Sequence, residues 1–448
     1  MNNNLELIAK TLLEMSKKAG ADLAETLILE QESISVDTQN GSIETLERSE
    51  GIEVGLRVSV NNRQACISSS DVRKQTIEKM VERSVAMARE APRDNDILSA
   101  KPDQIAKDWD LNSLDLIDEK AMSSPERLKN WAIEAEDKAQ SVKGVTQVQS
   151  SSASTGVIKS YLATSNGFEG GYVRSRTNIS CVSIAGNGQD MERDYAYEGR
   201  VHASDLPSAS SIGFLSGQRA TERIGSKKPP TGNYPVLYDE RVSSSLINHF
   251  LNSINGSSIV RGSSWLRGSM GLDIFPKNIS IFENPHKIRS YNSRPFDAEG
   301  IKTYAKKIVS EGVLRTWLLD LTSGKKLDLS TTANAVRSIS SPPAPGITNI
   351  TLLNGQKSKL DLMKDMDTGL VVTSMIGLTI NPITGDYSRG VSGFWVENGE
   401  IQYPVNECTI AGNLKDIFKT IIPANDSKDH LSISVPSLLV EGLKIAGK

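Results

Sequence analysis

Side chains able to hold a metal or move a proton near neutral pH are few in this chain. Its 448 residues include four histidines, His202, His249, His286 and His430, and three cysteines, Cys66, Cys181 and Cys408. The cysteines are odd in number, far apart and never spaced as CxxC, so they indicate neither a disulfide framework nor a zinc ribbon and fit a reducing compartment. The histidines stand in no metal-ligand spacing. His249 lies within Asn248-His249-Phe250-Leu251-Asn252-Ser253 and has two readings. It is either a side chain hydrogen-bonded inside a pocket, or a working acid, base or ligand. One form of the second reading joins His249 to His430 and an acid such as Asp239 or Glu240. Ser243 to Ser245 precede His249, but no Gly-x-Ser-x-Gly elbow frames a nucleophile, and a Ser/His/Asp grouping there is best explained by chance. Gly385 to Gly393 lacks the GxGxxG or GxxxxGK pattern between a strand and a helix, which argues against nucleotide binding. Asn381-Pro382-Ile383-Thr384-Gly385-Asp386 has the chemistry of a turn: Pro fixes φ, Asn and Asp bond local backbone groups, and Gly takes positive φ. That chemistry alone explains the loop; the alternative is that it borders a groove where an extended peptide adds to a strand edge.

These residues need elements to position them. Leu5, Ile8, Leu12, Met15 and Ala19 recur at helical spacing and stop at Gly20. From Ala24 the period becomes two, with Ile34 and Val36, an Asn40-Gly41 hairpin signal, then Ile52, Val54, Leu56, Val58 and Val60. Ser70-Asp71 offers capping oxygens for a helix carrying Ile77, Met80, Val81, Val85 and Ala88. A polar connection from Ala91 to Asp118 leads to an amphipathic helix over Pro125 to Val142. A second strand-rich block follows from Val145 to about Glu198, with hairpins expected at Asn166-Gly167, Gly170-Gly171 and Asn187-Gly188. Lys227-Lys228-Pro229-Pro230-Thr231-Gly232 can continue neither helix nor sheet and marks the main break. Beyond it come a short strand at Tyr234 to Tyr238, a helix from about Glu240 to Ile254, and many short strands. On that helix Val242, Leu246, Phe250 and Ile254 follow the helical period and face the core.

The expected fold is therefore α+β. An N-terminal helix and antiparallel-sheet region falls in two parts, 1–100 and 115–226, and precedes a larger β-rich C-terminal domain, 234–448. With 38% hydrophobic residues the chain can fill two or three cores. Lys plus Arg total 51 against 54 Asp plus Glu, a net charge of -3. No basic excess is available to neutralise phosphates, which argues against nucleic acid as a partner. The start Met-Asn-Asn-Asn followed by Glu6, Lys10 and Glu14 is unlike a signal peptide, and no run of about 18 apolar residues suggests a membrane span, so a cytoplasmic location is expected.

The stretch from Leu378 to Leu414, with Asn381-Pro382-Ile383-Thr384-Gly385-Asp386-Tyr387, Gly393-Phe394-Trp395-Val396-Glu397-Asn398-Gly399 and Thr409-Ile410-Ala411-Gly412-Asn413, resembles the C-terminal domain of the TldD/TldE (PmbA) family. Members of that family are also labelled modulators of DNA gyrase. Glu50 to Val58, Arg294 to Gly300, Gly312 to Leu314, Trp317 to Asp320 and Thr348-Asn349 are further landmarks in family order. The family holds two kinds of chain that work as a pair, one with a zinc-protease motif HExxxH and one without it. Counting back from Arg261, which both kinds share, Asn248 stands at the first ligand histidine, His249 at the glutamate and Ser253 at the second histidine. Zinc hydrolysis needs imidazole or thiolate ligands, an open position for water and a nearby carboxylate. None of the three positions supplies its part. The family's third ligand is a cysteine near the C-terminus, and no cysteine follows Cys408.

The resemblance therefore implies a metal-free, TldE-like member with no catalytic residue and no cofactor of its own. Zinc is expected in a TldD-like HExxxH partner, within a homo- or hetero-oligomer that cuts unfolded or leader-type peptides. The alternatives are a stand-alone peptide-binding or scaffold protein and an independent hydrolase with a non-standard metal site. Residues i and i+5 differ by about 140° on a regular helix, so a HExxxH pair must distort or end its helix. Asn252, Ser253, Asn255, Gly256 and Ser257 are poor helix formers at that end, and the break is expected to persist without metal.

Overall fold

A computed structural model of the chain describes residues 3–122 and 124–448; Met1 and Asn2 of the N-terminal reading lie outside the described residues. Helix α1 (Asn3–Lys18) leads into β1 (Leu23–Gln39), which turns at Asn40 and Gly41, both at positive φ, into β2 (Ser42–Val60) and then β3 (Arg63–Ser69). After α2 (Lys74–Glu90) the chain runs irregularly to α3 (Pro125–Gln140), then through β4 (Val145–Thr164), β5 (Glu169–Ala185), β6 (Glu192–Arg200) and α4 (Ala209–Thr221). Strand β1 pairs antiparallel with both β2 and β4, so the two N-terminal parts share one six-stranded sheet in the order β3-β2-β1-β4-β5-β6. Two helix pairs cover that sheet. Leu5, Leu12, Met80, Val81 and Val85 of α1 and α2 pack on Ile28, Leu56 and Val58, while Leu128, Ala132, Ala135 and Ile212 of α3 and α4 pack on Val36, Ala153 and Ile179.

Two local expectations are corrected. Gly170-Gly171 lies inside β5 rather than at a hairpin. A Cβ at Gly170 would stand 2.8 Å from the Trp109 ring, and one at Gly171 would stand 2.5 Å from the Ser160 carbonyl, so these glycines allow close approach. Helix α2 begins at Lys74, with Arg73 as its uncapped N-terminus. The Asp71 carboxylate is taken by Arg73 and by the Thr76 hydroxyl at 2.8 Å.

Strand β7 (Gly232–Tyr238) opens the C-terminal region and lies within a second six-stranded sheet. Its neighbours are Gly369–Ile380, parallel to it, and Leu438–Ala446, antiparallel; Asp386–Glu397 and Glu400–Asn413 continue the sheet outward. These strands of 12, 12 and 14 residues are longer than the many short ones expected. Register shifts near Val391 and Trp395 interrupt their alternation and disguise their length. Residues 409–411 also pair with 444–446, which bends the sheet toward closure. Val236, Tyr238, Leu370, Val372, Trp395 and Val440 form its inner face, on which the motif helix lies. The α+β class, with its N-terminal helix, antiparallel sheets and β-rich C-terminal region, is as the sequence indicates. No described helix is long and apolar enough to cross a membrane.

Candidate functional site

Helix α5 (Glu240–Ser253) carries the motif positions. Asp239 caps it, accepting from the Arg241 N–H at 3.1 Å. Leu246, Phe250 and Ile254 are fully buried and Val242 packs beside them; the Phe250 ring meets Phe275 and Phe418 edge-on. The helix stops at Ser253, and Asn255 caps a separate short helix, α6 (Gly256–Arg261). The Asn255 carboxamide accepts from the Ser257 N–H at 3.0 Å and donates to the Pro345 carbonyl at 2.8 Å. Asparagine capping, together with backbone hydrogen bonds from Gly256 to Leu318 and from Leu318 to Ile254, thus ends the helix where a HExxxH spacing requires it to end.

Ser253 Oγ donates to the His249 carbonyl at 2.8 Å, so its hydroxyl is spent on its own helix. His249 is partly buried, and its ring meets the edge of Tyr387 with centroids 6.0 Å apart. Its Nε2 is buried and finds no partner among the described residues. Burial, and then the positive charge of Arg389, push the His249 pKa down to about 4, so the imidazole is neutral at pH 7. Arg389 is 8% exposed, and its Nε is likewise unpartnered. The Tyr238 hydroxyl donates to Tyr387 Oη at 3.3 Å, and that hydroxyl lies 3.7 Å from Met375 Sδ. Ser245 Oγ approaches the same sulfur at 3.9 Å. Asn248 is half-buried on the same helix, while Arg261 is exposed and makes no ion pair among the described residues.

The other candidates lie elsewhere. His430 Nε2 is 3.3 Å from Glu198 of β6. Burial works to raise the Glu198 pKa, but the neighbouring His430 and the Arg200 guanidinium, which donates to it at 2.7 Å, outweigh burial and hold the carboxylate low. Asp239 pairs with Lys359, and Glu240 with Lys428 at 2.6 Å. The grouping of His249, His430 and an acid is therefore not assembled. His286 binds Thr303 Oγ1 at 3.0 Å, and His202 lies 3.1 Å from Asp115. Cys408 is 3% exposed, and burial pushes its thiol up to about 11. Among the described residues, no three or more His, Cys, Asp or Glu side chains converge as a metal site.

The Asn381 turn satisfies itself. Asn381 Oδ1 accepts from the N–H groups of Ile383 and Thr384 at 3.0 and 3.2 Å, and Thr384 Oγ1 donates to Asp386 at 2.6 Å. Gly385 takes φ +85°, and its N–H reaches the Asn381 carbonyl at 2.8 Å. The turn also docks on the segment after α6, since the Trp265 N–H donates to the Pro382 carbonyl at 2.9 Å.

Models of the three domains of PmbA/TldA metallopeptidases match residues 24–88 (domain 1), 118–227 (central domain) and 231–447 (C-terminal domain). The chain belongs to the PmbA/TldD family. It is 36% identical to Metalloprotease PmbA of Escherichia coli O157:H7, over 99% of this chain and 96% of that one. It is 35% identical to a PmbA homologue of Haemophilus influenzae, over 97% and 94%. Among solved structures it resembles a proposed modulator of DNA gyrase from Bacteroides thetaiotaomicron, with a TM-score of 0.92, 25% identity and full coverage of both chains. TldE from Thermococcus kodakarensis has the same fold, with a TM-score of 0.85 at 18% identity, over 98% of this chain and all of that one.

Membership in a metallopeptidase family raises the question of zinc. The motif positions of this PmbA/TldD-family chain offer a carboxamide, one imidazole facing a guanidinium, and a hydroxyl already bonded to backbone. This donor set does not suit zinc, which takes thiolate, imidazole or carboxylate ligands and would be repelled by Arg389. Met375, Tyr387 and Arg389 escaped notice as site residues because each reaches α5 from a strand more than 100 residues away. The available signal was alternation: Tyr387, Arg389 and Val391 are buried on one face of their strand.

Proposed function

We propose that this chain is the metal-free subunit of a two-chain zinc peptidase, in which a TldD-like HExxxH sister supplies zinc, its ligands and the base. The observation that carries the proposal is the end of α5. The helix and its break are intact, while the Ser253 hydroxyl is bonded to backbone and His249 stands neutral against Arg389. A family chain that keeps the scaffold without the donors contributes surface rather than chemistry. On this reading Asn248, His249, Ser253 and Arg261 are vestigial, and the chain needs no cofactor. Unfolded or leader-type peptides are the substrates, and the chain forms one wall of the chamber that admits them. The turn bearing Asn381, Thr384 and Gly385 borders the peptide path; the exposed Ile376 and Ile383 beside it offer apolar contacts to an extended chain. Three unpaired thiols support a cytoplasmic setting.

The test is peptide hydrolysis by the HExxxH sister with and without this chain. Activity that is weak alone and restored at an equimolar ratio supports the proposal. A sister equally active alone contradicts it, and purification of this chain from its own cells without a sister favours a stand-alone peptide-binding role.

A further inference from the structure

Arg174, Arg294 and Arg337 come from three distant parts of the chain to line one cavity of about 210 Å³, between β1, β4 and β5 and residues 294–298 and 336–337. Arg174 donates to the Tyr291 carbonyl at 2.5 Å and the Tyr172 hydroxyl at 2.7 Å, but its Nε is buried and meets no acceptor among the described residues. Arg294 donates to the Ile347 carbonyl at 3.3 Å, and its Nε is left in the same condition. Arg337 has a side chain only 1% exposed, and both its Nε and Nη2 lack an acceptor. Its Nη1 reaches Glu25 at 3.3 Å, a carboxylate already shared with Arg57 at 2.9 Å.

Buried guanidinium donors without acceptors are costly. One carboxylate, Asp297, lines the cavity against these three cations. Its oxygens already accept from the N–H groups of Glu299, Ile301 and Ala335 at 2.9, 3.0 and 3.2 Å. Burial pushes the Asp297 pKa up, so the lining becomes more positive as pH falls. The remaining wall is mostly apolar, with Leu27, Leu29, Leu162, Phe296 and Val336, and Ser160 and Tyr172 add two hydroxyls. Guanidiniums match planar carboxylates in a two-bond fork, and the largely apolar remainder of the wall suits a short hydrocarbon body beside that carboxylate.

We infer that this cavity binds a small carboxylate with a short apolar body, held by Arg337 together with Arg294 and Arg174. N-acylated leucine and the last residue of a peptide share that chemistry. Because the walls come from both halves of the chain, the ligand also clamps them together. The inference stands apart from the proposed subunit role and requires no partner.

Calorimetric titration of the full chain tests it, using N-acetyl-leucine, N-acetyl-leucinamide, inorganic phosphate and a tetrapeptide ending in leucine. N-acetyl-leucine should bind roughly tenfold or more tightly than its amide, because a neutral amide cannot serve the guanidiniums. Arg337→Gln should lose that binding. Should its link to Glu25 make the variant unfold, Arg294→Gln, which gives up one carbonyl bond, should weaken binding while keeping the thermal midpoint. Tighter binding of the tetrapeptide identifies a peptide terminus as the source, and equal binding identifies the free acid. Equal binding of acid and amide, phosphate tighter than the acid, or no heat at about 10 mM ligand would overturn the inference.

Discussion

The Ser253 hydroxyl donates to the backbone carbonyl of His249 at 2.8 Å, joining two of the positions at which zinc-bearing relatives are expected to place a ligand and a base. A hydrogen bond of this kind spends the serine on its own helix. Ser253→Ala should therefore change stability by no more than about 1 kcal/mol and leave the sister's stimulated hydrolysis intact. Chemical denaturation and a reconstituted peptide assay read the two effects; a loss of hydrolysis with stability kept would assign Ser253 a working role.

His249 should titrate far below an ordinary histidine. Its pKa is pushed from 6.5 to about 4 by burial and then by Arg389. Between those values the unfolded chain binds a proton that the folded chain does not, so this residue makes stability fall as pH drops from about 6.5 to 4 and adds no further change below that. His249→Gln should flatten that part of the denaturation midpoint profile. An imidazole proton signal titrating near 6.5 in the folded chain would refute the environment described for it.

Asp194 holds the middle of the chain to α5. Its carboxylate, 4% exposed, meets Arg241 at 2.6 Å and Arg223 at 3.5 Å. Burial opposes its charge, but the hydrogen bond and charge of Arg241 prevail and keep its pKa below the usual 3.8. Asp194→Asn leaves two guanidiniums facing each other and should cost roughly 3–5 kcal/mol, seen as a lower thermal midpoint. In the unaltered chain this contribution is complete above about pH 3.8 and is lost as pH falls through the lowered value.

Much of the frame was legible in the sequence because large apolar residues mark it. The 3.6-residue period located α1, α2, α3 and α5, and Asn40-Gly41 located the first hairpin. Helix α4 was not legible, since its buried stripe is mostly Ala209, Gly213, Ser216, Gly217 and Ala220, small residues that trace no strong apolar period. The motif positions were legible only through their register with Arg261. The surroundings of His249 were not, because Tyr387 and Arg389 act on it from a strand far along the chain that only the packing of α5 on the sheet brings near. The three arginines of the carboxylate cavity were hidden for the same reason.

Restoring the motif letters should not restore the metal. The combined change Asn248→His, His249→Glu and Ser253→His supplies two imidazoles and a base, but Arg389 stays beside them and the third ligand is still missing. The variant should lose zinc on dialysis against a chelator, and stoichiometric zinc surviving that treatment would show that Arg389 and the missing third ligand do not prevent binding.

Elemental mass spectrometry of the purified chain, with peptide hydrolysis followed on the same sample, tests the central claim most directly. A zinc content near zero and no cleavage until a HExxxH sister is added is the predicted result. About one tightly held zinc per chain, with cleavage by the chain alone, would contradict it.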